Sequence, residues 1–201
     1  DSHNQDNNKR MIANAAAIVQ NGDVRGIYHK SFLPNYSVFD EARYFSKGTE
    51  PNTLFWYDDI AIGINICEDI WIEDGPAEEQ VKQGASLIIN INASPYDIHK
   101  SKTRKDIVMK KALKLNVPII YLNMVGGQDE LVFDGGSFVV NDLGEIIYQA
   151  SSFKEEVFHL DIDLKTNKQN DKSSLIIRPK TIELKDVKSK PSLSKNESIY
   201  S

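Results

Sequence analysis

Cys67 is the single cysteine in 201 residues, and it ends an apolar run, Ile60-Ala61-Ile62-Gly63-Ile64-Asn65-Ile66. Glu68-Asp69-Ile70-Trp71 follow it directly. A thiol attacks carbon as the thiolate, and a free thiol titrates near ~8.5, so a nucleophilic cysteine needs a base or a cation beside it. Two acids next to a buried, inert cysteine have no obvious use in a core. A thiol at the tip of a strand, by contrast, can face a pocket. The competing role is that of a small buried hydrophobe.

Two residue types could partner the thiol. The histidines are His3, His29, His99 and His159. None stands in a telling context, and no pair has metal-ligand spacing. Lys30 is the other candidate, closing the predicted strand 24–29. Its bland role is a solvated strand end. Lys30 and Cys67 nevertheless both end strands, and pockets form where the strands of an open sheet end. An ammonium there would stabilise the thiolate, and later an oxyanion on a substrate.

The elements that must position these residues follow from pattern and turn chemistry. Residues 1–10 read as loop. Residues 11–19 and 24–29 read as a hairpin around Asn21-Gly22-Asp23. Residues 31–53, with Pro34, Gly48 and Pro51, read as a long ordered loop. Strands are expected over 54–57 and 60–66, across an Asp58-Asp59 turn. A short helix over 76–84 has Pro76 near its start, Glu78 and Glu79 in its first turn and Gly84 at its end. Buried strands are expected over 86–91 and 117–123. Between them lies a helix over 101–115, with Val108, Met109, Ala112 and Leu113 near one stripe and an exposed lysine-rich face. A second hairpin spans 139–149 around Asn141-Asp142-Leu143-Gly144, and a last strand spans 156–162. Alternating strands and helices with hairpins at both ends define an α/β protein with a mixed sheet. Residues 165–201 read as a linker or extended tail, apart from a Ser174-Leu175-Ile176-Ile177 patch.

Three segments carry a family resemblance. They are Lys30-x-x-Leu33-Pro34-x-Tyr36-x-x-Phe39-Asp40-Glu41-x-Arg43-Tyr44-Phe45, Ile66-Cys67-Glu68-Asp69-Ile70-Trp71 and Asn90-x-x-Ala93-Ser94-Pro95-Tyr96. Together with Tyr121-x-Asn123-x-Val125-Gly126-Gly127-Gln128-Asp129-Glu130-Leu131-Val132-Phe133-Asp134-Gly135, they resemble the nitrilase superfamily of carbon–nitrogen hydrolases. Within it they are similar to the glutaminase domains of glutamine-dependent NAD+ synthetases, over about residues 12–162. The resemblance implies a four-layer α-β-β-α sandwich and a Glu-Lys-Cys triad. Cys67 would be the nucleophile that attacks the glutamine side-chain amide, giving a thioester and ammonia. Lys30 would be the triad lysine and Glu41 a supporting glutamate, whose plain alternative is a loop salt bridge. Tyr36, Glu68 and Ser94 match positions that contact glutamine. Glu68 has a physical reason to do so, because a carboxylate recognises an α-ammonium; it could equally be a helix-start acid.

The chain also departs from the family pattern. The family's base glutamate precedes the lysine strand, yet no glutamate occurs before Glu41. The expectation is a glutaminase domain over 1–164 that begins inside the fold, incomplete at its N-terminus and with little turnover by itself. Residues 165–201 would lead toward an ATP-pyrophosphatase domain absent from this sequence. No cofactor is expected in this chain; ATP and Mg2+ would belong to that further domain, which would receive the ammonia. The Gly126-Gly127 pair is not a phosphate loop, because acids follow it and no Lys-Ser/Thr does. It is expected to shape the pocket wall and the ammonia exit, and to pack against a neighbouring domain. The alternatives are another carbon–nitrogen hydrolase acting on a different amide or nitrile, and an inactive scaffold.

Composition narrows the partners. A net charge of -5 with no basic face argues against nucleic acid. No apolar stretch approaches membrane-spanning length. The first ten residues are polar and do not read as a signal peptide. A lone cysteine excludes an internal disulfide framework and fits a reducing, cytoplasmic setting. The resemblance adds L-glutamine as substrate and a homo-oligomer as the assembled form.

Overall fold

The computed structural model describes residues 12–164 and 182–184. Strands β1 (Ala15–Gln20) and β2 (Asp23–His29) pair antiparallel. Asn21 and Gly22 between them have φ of 55° and 83°. That is the left-handed pair of a two-residue hairpin turn, whose twist matches the strands it joins. The turn decides the alanine-rich segment in favour of strand over helix. The following loop holds one short helix, α1 (Glu41–Tyr44).

Strands β3 (Leu54–Tyr57) and β4 (Ile60–Ile66) form the next hairpin. Helix α2 (Pro76–Lys82) leads to β5 (Leu87–Asn92), and helix α3 (Lys100–Leu115) leads to β6 (Ile119–Asn123). β4, β5 and β6 are parallel neighbours. Parallel strands require crossovers, and right-handed crossovers that advance in one direction place their helices on one face. Pro76 opens α2, where its missing N–H is no loss. Asn116, at φ 56°, ends α3 in a left-handed cap.

The chain continues through β7 (Val125–Gln128), β8 (Leu131–Asp134), β9 (Phe138–Val140) and β10 (Ile146–Gln149), with β11 at Ile182–Leu184. The main sheet has seven strands in the order β10-β9-β6-β5-β4-β3-β11. Two hairpins, β1–β2 and β7–β8, stand outside it.

The apolar residues of β3 and β4 divide strictly by face. Leu54 and Ala61 join Ile88, Val108, Ala112, Ile119 and Phe138 beneath the helices. Phe55, Ile64 and Ile66 pack with Tyr28, Ala16 and Ile18 of the hairpin on the other face. The described residues therefore stack as helices, sheet and hairpin. This is the α/β class with a mixed sheet, and helices, sheet and hairpin correspond to three of the four layers that the resemblance implies.

Several elements differ from the sequence reading. Residues 156–162 form no strand and are mostly exposed, with Val157 88% exposed. Among the described residues no strand pairs with them, and a strand needs a neighbour. The Gly126-to-Gly135 block, left without secondary structure above, is the β7–β8 hairpin. On α3, Leu113 is exposed while Lys111 and Arg104 are buried. Lys111 pairs with Glu78 of α2 at 2.8 Å, so the lysine-rich face is not uniformly solvated. Residues 1–10 and the 174–177 patch lie outside the described residues, as does the rest of the tail apart from β11, which adds in parallel to β3.

Candidate active site

β4 delivers Cys67 to the carboxyl end of the parallel strands. The strand stops because Cys67 takes φ 46° and opens a 3₁₀ turn, Cys67–Ile70. A left-handed backbone at a residue with a side chain costs on the order of 1 kcal/mol or more, and such positions concentrate at functional sites. The turn is closed by Trp71 N–H donating to Glu68 O at 3.0 Å and by Ile66 N–H donating to Asp69 Oδ2 at 3.0 Å. Asn90 of the neighbouring strand reaches the Cys67 carbonyl at 3.5 Å. The thiol is thereby lifted out of the sheet and left half-buried.

β2 delivers Lys30. Its N–H donates to Asn14 O and its carbonyl accepts from Gly48 N–H, both at 2.8 Å. The side chain is 1% exposed, and its Nζ donates to Glu41 Oε1 at 2.7 Å and to Oε2 at 2.8 Å. Glu41 opens α1, which is set by Glu41 N–H donating to Pro34 O at 3.1 Å. Lys30, Glu41, Cys67, Phe39, Asn14 and Asn92 line one open cavity of about 290 Å³. No described residue hydrogen-bonds Cys67 Sγ, and both oxygens of Glu41 are committed to Lys30.

Burial pushes the Cys67 thiol pKa up. Lys30 is the main influence pulling it down, with Lys100 assisting; Glu68 and Glu41 push it further up. The rim carries its own charges. Tyr36 donates its hydroxyl to both Glu68 oxygens, at 2.9 and 2.8 Å. Burial and that carboxylate push the phenol up to about 12. Tyr36 meets Phe39 edge-on at 6.1 Å, and Lys100 Nζ lies 5.6 Å above the Phe39 ring.

The structure thus brings together Cys67, Lys30, Glu41, Tyr36 and Glu68. Ser94 is placed differently. It is 2% exposed, and its hydroxyl accepts from Arg104 Nε at 3.2 Å. It stands behind Asn92 and Ala93, which line the cavity, and does not line it.

A thiol beside a buried lysine–glutamate pair, at the carboxyl end of a parallel sheet, is equipped for attack on an acyl or amide carbon. The sequence profile of the carbon–nitrogen hydrolases matches residues 2–170. The chain belongs to that family.

Among curated carbon–nitrogen hydrolase relatives, the glutamine-dependent NAD+ synthetase of Thermotoga maritima is 48% identical over 155 residues. That match covers 77% of this chain and 27% of the relative. The solved glutamine-dependent NAD+ synthetase of Acinetobacter baumannii, in complex with ADP, is 44% identical with a TM-score of 0.68. It is covered over 72% of this chain and 27% of its own. A carbon–nitrogen hydrolase from Helicobacter pylori G27 is 27% identical with a TM-score of 0.62, over 73% of this chain and 56% of its own. The chain thus spans about a quarter of the length of the synthetases it matches.

Within this family member the sequence reading missed two charged residues. Lys100 carries no role in the sequence reading; its position over the Phe39 ring and its pull on the Cys67 thiol place it at the rim. Asp69 was read as an acid with no use in a core. It is fully buried and closes the thiol turn. Its placement two residues after the cysteine was the available signal.

Proposed function

We propose that this chain is the glutamine-hydrolysing part of a glutamine-dependent NAD+ synthetase. The observation that supports it most is the buried Lys30–Glu41 ion pair in the cavity that holds Cys67. The 48% identity to a synthetase points the same way. In this reading Cys67 Sγ adds to the side-chain carboxamide carbon of glutamine. The amide oxygen takes up negative charge facing Lys30 Nζ and a backbone N–H of the thiol turn. The C–N bond then breaks, the nitrogen leaves as ammonia carrying the thiol's proton, and a glutamyl thioester stays on Cys67. Water releases glutamate and restores the thiol.

Glu68, held by Tyr36, faces the substrate's α-ammonium, and Lys100 faces its α-carboxylate. Ser94 acts through the segment it anchors, with Asn92 and Ala93 forming the cavity wall. Glu41 spends both oxygens on Lys30, which favours a supporting role over that of the base acting on Cys67. Full turnover is therefore assigned to the longer protein, in which the ammonia would serve an ATP- and Mg2+-dependent amidation of deamido-NAD.

The test uses a diazoketone analogue of glutamine and intact-mass analysis. The expected result is one adduct per chain, on Cys67, suppressed by excess glutamine and absent in Cys67→Ala. Labelling that persists in Cys67→Ala, or that glutamine does not suppress, overturns the reading.

A further inference from the structure

Asp69 is wholly buried, and its carboxylate accepts four hydrogen bonds. Oδ1 takes the N–H groups of Ser31 at 3.1 Å and Phe32 at 2.8 Å. Oδ2 takes the Tyr28 hydroxyl at 2.9 Å and the Ile66 N–H at 3.0 Å. A carboxylate offers about four lone-pair positions, so this one is saturated. The donors have a pattern. Ser31 and Phe32 directly follow Lys30, Tyr28 lies two residues before it, and Ile66 directly precedes Cys67.

Lys30 and Cys67 have no sheet ladder in common. The β1–β2 hairpin is a separate two-stranded sheet that faces the main one through side chains alone. A single buried carboxylate therefore fastens the backbone just after Lys30, and the Tyr28 side chain just before it, to the backbone before Cys67. The same carboxylate holds the turn in which Cys67 keeps its left-handed φ of 46°.

We propose that Asp69 is a positioning residue that fixes the separation of the Cys67 thiol and the Lys30 ammonium by bonding the backbone that follows Lys30 and the backbone that precedes Cys67. It touches neither reacting atom. Its effect is carried by where it holds them. The proposal rests on the reading that Lys30 and Cys67 work as a pair.

The sign of one measurement separates positioning from the other roles Asp69 could have. Charged groups facing Cys67 are Lys30, Lys100, Glu41 and Glu68. If Asp69 mattered only as a nearby negative charge, Asp69→Asn would make the thiolate easier to form. If it mattered only for stability, the thiol's titration would not move. If it positions Lys30, its loss takes the cation away and the thiol titrates higher.

Cys67 is the only cysteine, so the rate of iodoacetamide alkylation against pH reports on it alone. The comparison is between the 201-residue chain and its Asp69→Asn variant, with Glu78→Gln as the control. Glu78→Gln breaks the buried pair with Lys111 that joins α2 to α3. The expected result is an alkylation midpoint about one pH unit higher in Asp69→Asn, which slows alkylation about tenfold below both midpoints. Glu78→Gln should lower the melting temperature and leave the alkylation profile in place. An unchanged or lowered midpoint in a folded Asp69→Asn overturns the proposal. Should that variant not fold, Tyr28→Phe decides, since it removes one of the four donors; slower alkylation supports positioning and an unchanged rate overturns it. A shifted Asp69→Asn profile in a chain that the glutamine diazoketone never labels would keep the positioning role and remove the glutamine reading.

Discussion

Lys30 Nζ is bonded to both carboxylate oxygens of Glu41, at 2.7 and 2.8 Å, with the lysine side chain 1% exposed and the glutamate 18%. A buried ammonium needs such a partner, because an unpaired charge in a dry interior costs several kcal/mol. The pair is therefore what allows a lysine side chain to stand inside the wall of the thiol cavity.

Removing that cation gives a direct prediction for the thiol. Burial already holds the Cys67 pKa above its ordinary value, and Lys30 is its main counterweight. The alkylation rate of the unmodified chain should therefore keep rising with pH beyond the range in which a free thiol levels off, near ~8.5. Lys30→Met should shift the curve higher still. A plateau by pH 7, or a curve unmoved by Lys30→Met, would contradict this electrostatic account.

Glu68 gives a prediction in which two rates move in opposite directions. Its carboxylate pushes the Cys67 pKa up, so Glu68→Gln should make iodoacetamide alkylation somewhat faster. The same change removes the charge proposed to meet the α-ammonium. Labelling by the glutamine diazoketone should then slow by about tenfold, the loss of one charge-assisted hydrogen bond. Both rates falling together would indicate a distorted turn instead.

The buried pair behind the cavity wall gives a prediction for stability. Arg104 Nη1 donates to Asp134 at 2.8 and 3.0 Å, and Nη2 donates to the carbonyls of Ser94 and Pro95. Asp134→Asn leaves the guanidinium buried without its counter-charge. Urea denaturation should show a loss of about 3 kcal/mol, the usual scale for breaking a buried pair on one side. A loss below about 1 kcal/mol would mean that the three carbonyl and hydroxyl contacts of Arg104 suffice without the carboxylate.

Local chemistry made most of the fold readable. Asn21-Gly22, Asp58-Asp59 and the Asn141-to-Gly144 turn each joined strands where their residue types required. Pro76 marked the start of its helix. The β7–β8 hairpin was missed although its pairing is local; the other failures share one cause, which is distance along the chain. Residues 156–162 alternate as a strand does, but strandhood depends on a neighbour that the alternation cannot reveal. Lys111 reads as a solvated lysine until Glu78, 33 residues away, is seen to meet it. In the site, Cys67 and Lys30 were legible because each ends its own strand. Asp69 was not, because its bond to Ser31 joins residues 38 apart. Ser94 was legible as a residue of the site region, but not as one turned inward to Arg104.

Among the described residues, the hairpin that leads into Lys30 exchanges no ladder bonds with the sheet that leads into Cys67. The two halves of the chemistry therefore lie on opposite sides of a slip plane, faced with Ala16, Ile18 and Tyr28 on one side and Ile64 and Ile66 on the other. Sliding along that plane would leave every strand with its partner, but it would break the bonds of Asp69 to Tyr28, Ser31 and Phe32 and move the ammonium away from the thiol. Competence in such a molecule is a separate and more delicate property than foldedness. A preparation that keeps all of its strands can still be chemically silent once those bonds are lost.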